Sequence, residues 1–296
     1  MAVLVHLIVT LGMLCVVPLG LRLIDPVGLL GTARIWPLLA APGALCLWLP
    51  RGAGAAALAA LYAAATLVLA ARAAQRLLRA LSGTPSGGTR RLAPSEVAVL
   101  TALVSPSVAG TALVAERAGC RLFGFDLDIL ALTVPHFHFA GFTAALVAGL
   151  VCRAAEPGPG AGALARGAAY SVPGGTLLVL LGYFVDDWAE LAGAVVLTAG
   201  MWAVALLTWQ EIRPTGRDRT ARALLGTSAV VLVATMLLAL WWALGEATGL
   251  VHPTLTWMAA THGLGNALGF ALCSVLAWRR LTGAQHSPRH MEESTP

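Results

Sequence analysis

ALLGTSAVVLVATMLLALWWALG, Ala223 to Gly245, contains no ionisable side chain and is bracketed by Arg222 and Glu246. At about 1.5 Å of helical rise per residue, a run of this length crosses a hydrocarbon layer of about 30 Å. It shows no period-2 alternation, so a barrel strand is excluded, and in lipid a helix is the structure that satisfies its own backbone. Similar runs recur through most of the 296 residues, which are 58% hydrophobic and 11% charged, with mean hydropathy +0.81. Soluble domains carry about 25% charged residues. The sequence therefore predicts an all-α, polytopic transmembrane helix bundle, in which residues 1–285 form one membrane domain and residues 286–296 a disordered cytoplasmic tail.

A window of about 19 residues places nine helices near 1–21, 28–49, 53–73, 96–115, 129–152, 168–185, 189–209, 221–243 and 254–278. The first carries neither a basic leader nor a cleavage site and reads as a retained helix. All 19 basic residues are Arg. With nine helices, Arg22, Arg34, Arg72, Arg76, Arg79, Arg90, Arg91, Arg153, Arg166, Arg213, Arg217, Arg219, Arg222, Arg279, Arg280 and Arg289 fall on one side. Only Arg51, Arg117 and Arg121 fall on the other. By the positive-inside rule the larger set is cytoplasmic, which puts the N-terminus outside and the C-terminus inside. The net charge of +5 and pI near 9.3 thus reflect topology and not a nucleic-acid surface. The partners expected are the lipid bilayer and, at the Arg loops, anionic headgroups; oligomeric state is not encoded in any motif. The longest loop begins as an amphipathic interfacial helix end at Arg72, Gln75, Arg76 and Arg79 and continues into a flexible cytoplasmic Ser/Gly/Pro/Thr linker, Ser82 to Thr89. Absence of Lys beside abundant Ala, Gly and Arg suits a high-GC bacterial genome, and the location expected is a bacterial cytoplasmic membrane.

The five cysteines, Cys15, Cys46, Cys120, Cys152 and Cys273, have no metal-ligand or disulfide spacing and read as small buried side chains. Ionisable residues inside spans are costly and carry a functional hypothesis by default. Here they are histidines. Val134-Pro135-His136-Phe137-His138-Phe139-Ala140-Gly141-Phe142 opens the fifth helix, and Thr261-His262-Gly263-Leu264-Gly265-Asn266-Ala267-Leu268-Gly269-Phe270 lies in the ninth. Both helices run inward, so His138 and His262 are expected about 12–15 Å below the outer boundary, with His6 of the first helix shallower on the same side. On the ninth helix His262, Asn266 and Gly269 share a face, and Gly265 and Gly269 admit a close neighbour. His136 and His138 are about 200° apart on a regular helix and share a pocket only if the backbone departs from that geometry; Pro135 favours a helix start there. Above this layer the outer loops present Glu116, Asp126, Asp128, Asp186, Asp187, Glu190, Glu246 and His252, a negative vestibule that attracts cations.

Three readings of the histidines stay open. They handle a small solute or cation, as in a transporter. They bind a transition metal or haem, although no cofactor is required by any motif and His-x-His is poor helical ligand spacing. Or they hydrogen-bond between helices in a structural or sensory subunit. Catalysis has less support. Ser105-Pro106-Ser107 reads as a kink, Thr143 lacks a visible base, Asp186-Asp187 reads as a solvated turn, and no phosphate loop is present.

The two histidine motifs, in this order and with this number of helices, resemble the YndJ-like family of bacterial membrane proteins. The resemblance implies a multi-pass membrane protein, sometimes labelled a transporter, without an established substrate. It singles out His136, His138, Gly141, Phe142, His262, Asn266, Gly269 and Phe270 and assigns them no role.

Overall fold

The computed structural model describes residues 1–82, 92–155, 160–216 and 218–285. Most of the expected linker, Arg90, Arg91, Arg217 and the tail 286–296 lie outside the described residues. Among the described residues the chain is all-α. Its nine helices are α1 (Ala2–Ile24), α2 (Leu30–Cys46), α3 (Ala53–Ser82), α4 (Pro94–Ala118), α5 (Leu127–Ala155), α6 (Ala161–Gly182), α7 (Asp187–Thr215), α8 (Arg219–Thr248) and α9 (Leu255–Gly283). All but α2 are long and apolar enough to cross a membrane; α2 has 17 residues and contains Pro37 and Pro42.

Local chemistry accounts for the helix ends. Asp186, Asp218 and Thr254 cap α7, α8 and α9 by accepting from Ala189, Ala221 and Trp257 backbone N–H groups. For Asp218, outside the spans, the Ala221 bond and the neighbouring Arg280 hold the carboxyl below the usual carboxylate range. Gly119 and Gly249, both at φ near +70°, stop α4 and α8 in the left-handed conformation that glycine adopts without penalty. Two boundaries depart from expectation. The amphipathic Arg72–Arg79 stretch is a continuation of α3 to Ser82, because Ala, Leu, Arg and Gln are strong helix formers. And α5 begins at Leu127, with Pro135 inside it and not at its start.

The burial pattern inverts that of a soluble protein. Leu61, Leu67, Leu177, Leu181, Val230 and Leu237 face outward, while Thr66, Thr143, Thr176, Thr198, Ser228 and Thr235 are buried. Apolar solvent outside and hydrogen-bonding groups inside is the arrangement a bilayer imposes. Neighbours in sequence pack as antiparallel neighbours, and α9 returns to α1 and α5. The central element is α5: 83% of its apolar window is buried, against 33–56% for the other spans. All odd-numbered helices start at one end, which carries seven of the eleven acidic side chains among the described residues; the described Arg residues concentrate at the other.

Candidate functional site

Both histidine motifs coincide with departures from α-helical winding. Phe137–Thr143 in α5 and Ala259–Gly263 and Gly265–Leu272 in α9 are π-helical, with Ala144 N–H bonding to Phe139 O and Leu264 N–H to Ala259 O. Such i→i+5 turns are rare and cluster at functional sites. Thr143 meets one consequence of the wider turn by donating its hydroxyl to His138 O at 2.9 Å.

The winding does not bring His136 and His138 into one pocket. His138 is fully buried and turns toward α3, where its Nε2 lies 2.5 Å from the Tyr62 hydroxyl; its Nδ1 lies 2.7 Å from Val134 O. A carbonyl only accepts, so Nδ1 carries the proton and Tyr62 donates to Nε2. Gly12 of α1 and Gly43 of α2 leave room for these two rings, and Trp36 donates to Met13 O in the π-turn of α1 at 3.0 Å. The His138–Tyr62 pair therefore packs among α1, α2, α3 and α5, and His138 lines none of the cavities described below. Tyr62→Phe strands a buried imidazole nitrogen and is expected to cost about 1–3 kcal/mol, measured by thermal unfolding in detergent. No loss of stability would remove the structural role.

His136 points the other way, into the space between α5, α7, α8 and α9, and there it meets the α9 motif. His262 Nδ1 donates to Thr235 O on α8 at 2.8 Å. Its Nε2 is then an acceptor, 3.1 Å from Asn266 Nδ2, and Asn266 Oδ1 accepts from the Thr235 hydroxyl at 2.8 Å. This closed network fixes the amide orientation and leaves one Asn266 N–H without a partner among the described residues. Gly265 and Gly269 make it possible, because a Cβ at either would meet Thr235 or Val231 of α8 at under 3 Å.

Three adjoining compartments surround this set. An inner one of about 180 Å³ is lined by His136, Glu190, His262 and Asn266 within a wall of Phe139, Leu197, Met201, Met236, Trp242, Met258 and Phe270. A second, about 160 Å³, extends past His136, His262 and Asn266 toward Ile8 of α1. A third, about 240 Å³, forms a mouth bordered by Asp187, Glu190 and Glu246. His136 lines all three, and its buried Nε2 has no hydrogen-bond partner among the described residues.

The remaining expected residues separate into groups. His6 stacks edge-on against Trp48 at 5.4 Å and lines none of these compartments. Glu116 is not a vestibule group: it is 1% exposed and bound by Arg51 and Arg117. Asp126 pairs with Arg121, Asp186 caps α7, and Asp128 is exposed and does not line the mouth. Glu246 pairs with His252 at 3.1 Å, and the His252 ring meets Trp242 edge-on at 4.8 Å. Phe142 is fully buried against Gly20, Gly141 packs on Ser105, and Phe270 closes the inner cavity. Ser105 and Ser107 donate to Thr101 and Val104 carbonyls, so neither is arranged as a nucleophile. Among the described residues no group of three or more His, Cys, Asp and Glu side chains is placed to hold a metal ion.

Tyr62, Thr235, Tyr183 and Trp242 were not singled out from sequence. The available signal was weak: a Tyr or Trp within a span needs a partner for its polar end, but nothing in the sequence says which helix supplies it.

No similar protein is found among curated proteins or solved structures. The family model described as YndJ-like protein matches residues 7–270, the stretch that carries both π-wound motifs and every side chain of the cavity. This chain belongs to the YndJ-like family.

Proposed function

We propose that the protein handles a small solute or cation through the cavity between α5, α7, α8 and α9, in the manner of a transporter, and that the mouth opens outward. The observation that carries this reading is a set of polar side chains, His136, Glu190, His262 and Asn266, in the wall of an otherwise apolar cavity between helices long and apolar enough to span a membrane, reached through a mouth of three carboxylates. Polar groups at that position are expensive unless they meet a partner, and His136 Nε2 and one Asn266 N–H have none among the described residues. The outward orientation is supported by the concentration of Arg in the loops at the opposite end. A metal or haem role for the same histidines is less supported, since both nitrogens of His138 and of His262 are occupied by hydrogen bonds.

The test is flux in vesicles reconstituted with the full chain and loaded with a pH-sensitive dye, with monovalent cations added outside. Wild type is expected to show a proton or cation flux that His136→Ala and Asn266→Ala each reduce by about tenfold or more. His136→Ala removes a side chain without a hydrogen-bond partner, so the fold should survive, as monitored by melting. No flux in wild type, or equal flux in both variants, would refute the reading.

A further inference from the structure

Mouth and inner cavity share a neck, formed by the side chains that line both: His136, Tyr183, Glu190, Trp242 and Leu255. Glu190 is the one carboxylate there, and among the described residues it is the only formally charged side chain lining the inner cavity. It is half-buried in the first turn of α7, and neither a hydrogen bond nor an ion pair is found for it among the described residues. No described Arg lines any of the three compartments. Each of the two aromatic rings makes an edge contact with a neighbouring ring, Tyr183 with Phe125 and Trp242 with His252.

The geometry points to a small organic ammonium ion as the ligand, its charge against Glu190 between Tyr183 and Trp242 and its apolar body among Met201, Met236 and Phe270. The inference rests on the cavity being a solute site, as proposed above. Aromatic faces beside a carboxylate attract a weakly hydrated organic cation. A Ca²⁺ or Mg²⁺ ion would require about six to eight oxygen ligands, whereas beyond Glu190, Asn266 and Tyr183 the inner wall offers imidazoles, thioethers, an indole and hydrocarbon. An anion would meet three carboxylates and no Arg. A purely apolar molecule would desolvate Glu190 with nothing in return.

The experiment is calorimetric titration of the purified full chain in detergent with phenyltrimethylammonium and with its neutral near-isostere 2-phenyl-2-propanol. The cation is expected to bind about tenfold or more tightly than the alcohol. Glu190→Gln should abolish that preference, Glu190→Asp should retain part of it, and Glu211→Gln, the same charge change at the far end of α7, should leave it intact. The Glu190 variants must melt like wild type, as expected for a side chain without a partner. Equal binding of both probes, unaffected by Glu190→Gln, would overturn the ammonium assignment and leave the solute site standing. Binding of neither probe would overturn the site and the assignment together.

Discussion

Glu116→Ala is expected to destabilise the protein by about 3–5 kcal/mol, the cost of removing one partner from a buried ion pair. Glu116 and Arg117, at the end of α4, have side chains only 2% and 8% exposed. The carboxylate is shared between Arg117 and, at 2.8 Å, Arg51 near the end of the α2–α3 connection. Arg117 also reaches the carbonyls of Cys46, Leu47 and Leu49 at 3.3–3.5 Å, where the negative end of the α2 dipole receives it. Those carbonyls soften the loss but cannot replace a full charge, so the lower part of the range is expected. The effect is read from thermal or denaturant unfolding in detergent. A loss under about 1 kcal/mol, the value of an exposed pair, would mean that the cluster is solvated.

The second large effect concerns the α6–α7 hairpin that carries Glu190. A Cβ at Gly182 would collide with Glu190 N and Cα, and one at Gly175 would lie 2.5 Å from Leu197 N; in the opposite direction Gly193 meets Val179 N at 2.5 Å. These are contacts with backbone, so no rotamer change relieves them. Gly182→Ala is expected to cost about 1–3 kcal/mol or more by overpacking and to weaken ligand binding by displacing the first turn of α7. At Gly174, one residue from Gly175, an added Cβ would meet nothing within 4 Å. Gly174→Ala is therefore expected to be neutral or stabilising by up to about 1 kcal/mol, the helix propensity gained. Equal melting temperatures for the two variants would contradict the close approach. Glycine in the sequence is the same letter at 174 and 182; only the neighbouring helix distinguishes them.

The candidate site was legible in part. Spacing along α9 put His262 and Asn266 on one face, and these two share a hydrogen bond. Helix order and direction put the two motifs at the same level, and they do meet across the α5–α9 contact. The partner on α5 is His136, however, and His138 goes to Tyr62. On an ideal helix the two are nearly opposed, and which of them faces α9 depends on the rotation of α5 about its axis, a property no single helix encodes. The acidic residues show the same limit. Loop position grouped Glu116 with Glu190 and Glu246, yet Glu116 is neutralised by its chain neighbour Arg117 and by Arg51, which the packing of α4 on the α2–α3 connection brings to it.

Legible in the residues alone is what lipid dictates: apolar runs long enough to span, helical because the backbone must satisfy itself, and Arg segregated by side. These depend on one segment and its solvent. Tertiary structure alone decided the π-winding of both motifs, the turn of His138 away from the cavity, the burial of Glu116 and the aromatic neck around Glu190. Each depends on side chains from separate helices meeting at distances of about 3 Å, and inside a bilayer those meetings are selected by packing and hydrogen bonding between helices, not by hydropathy.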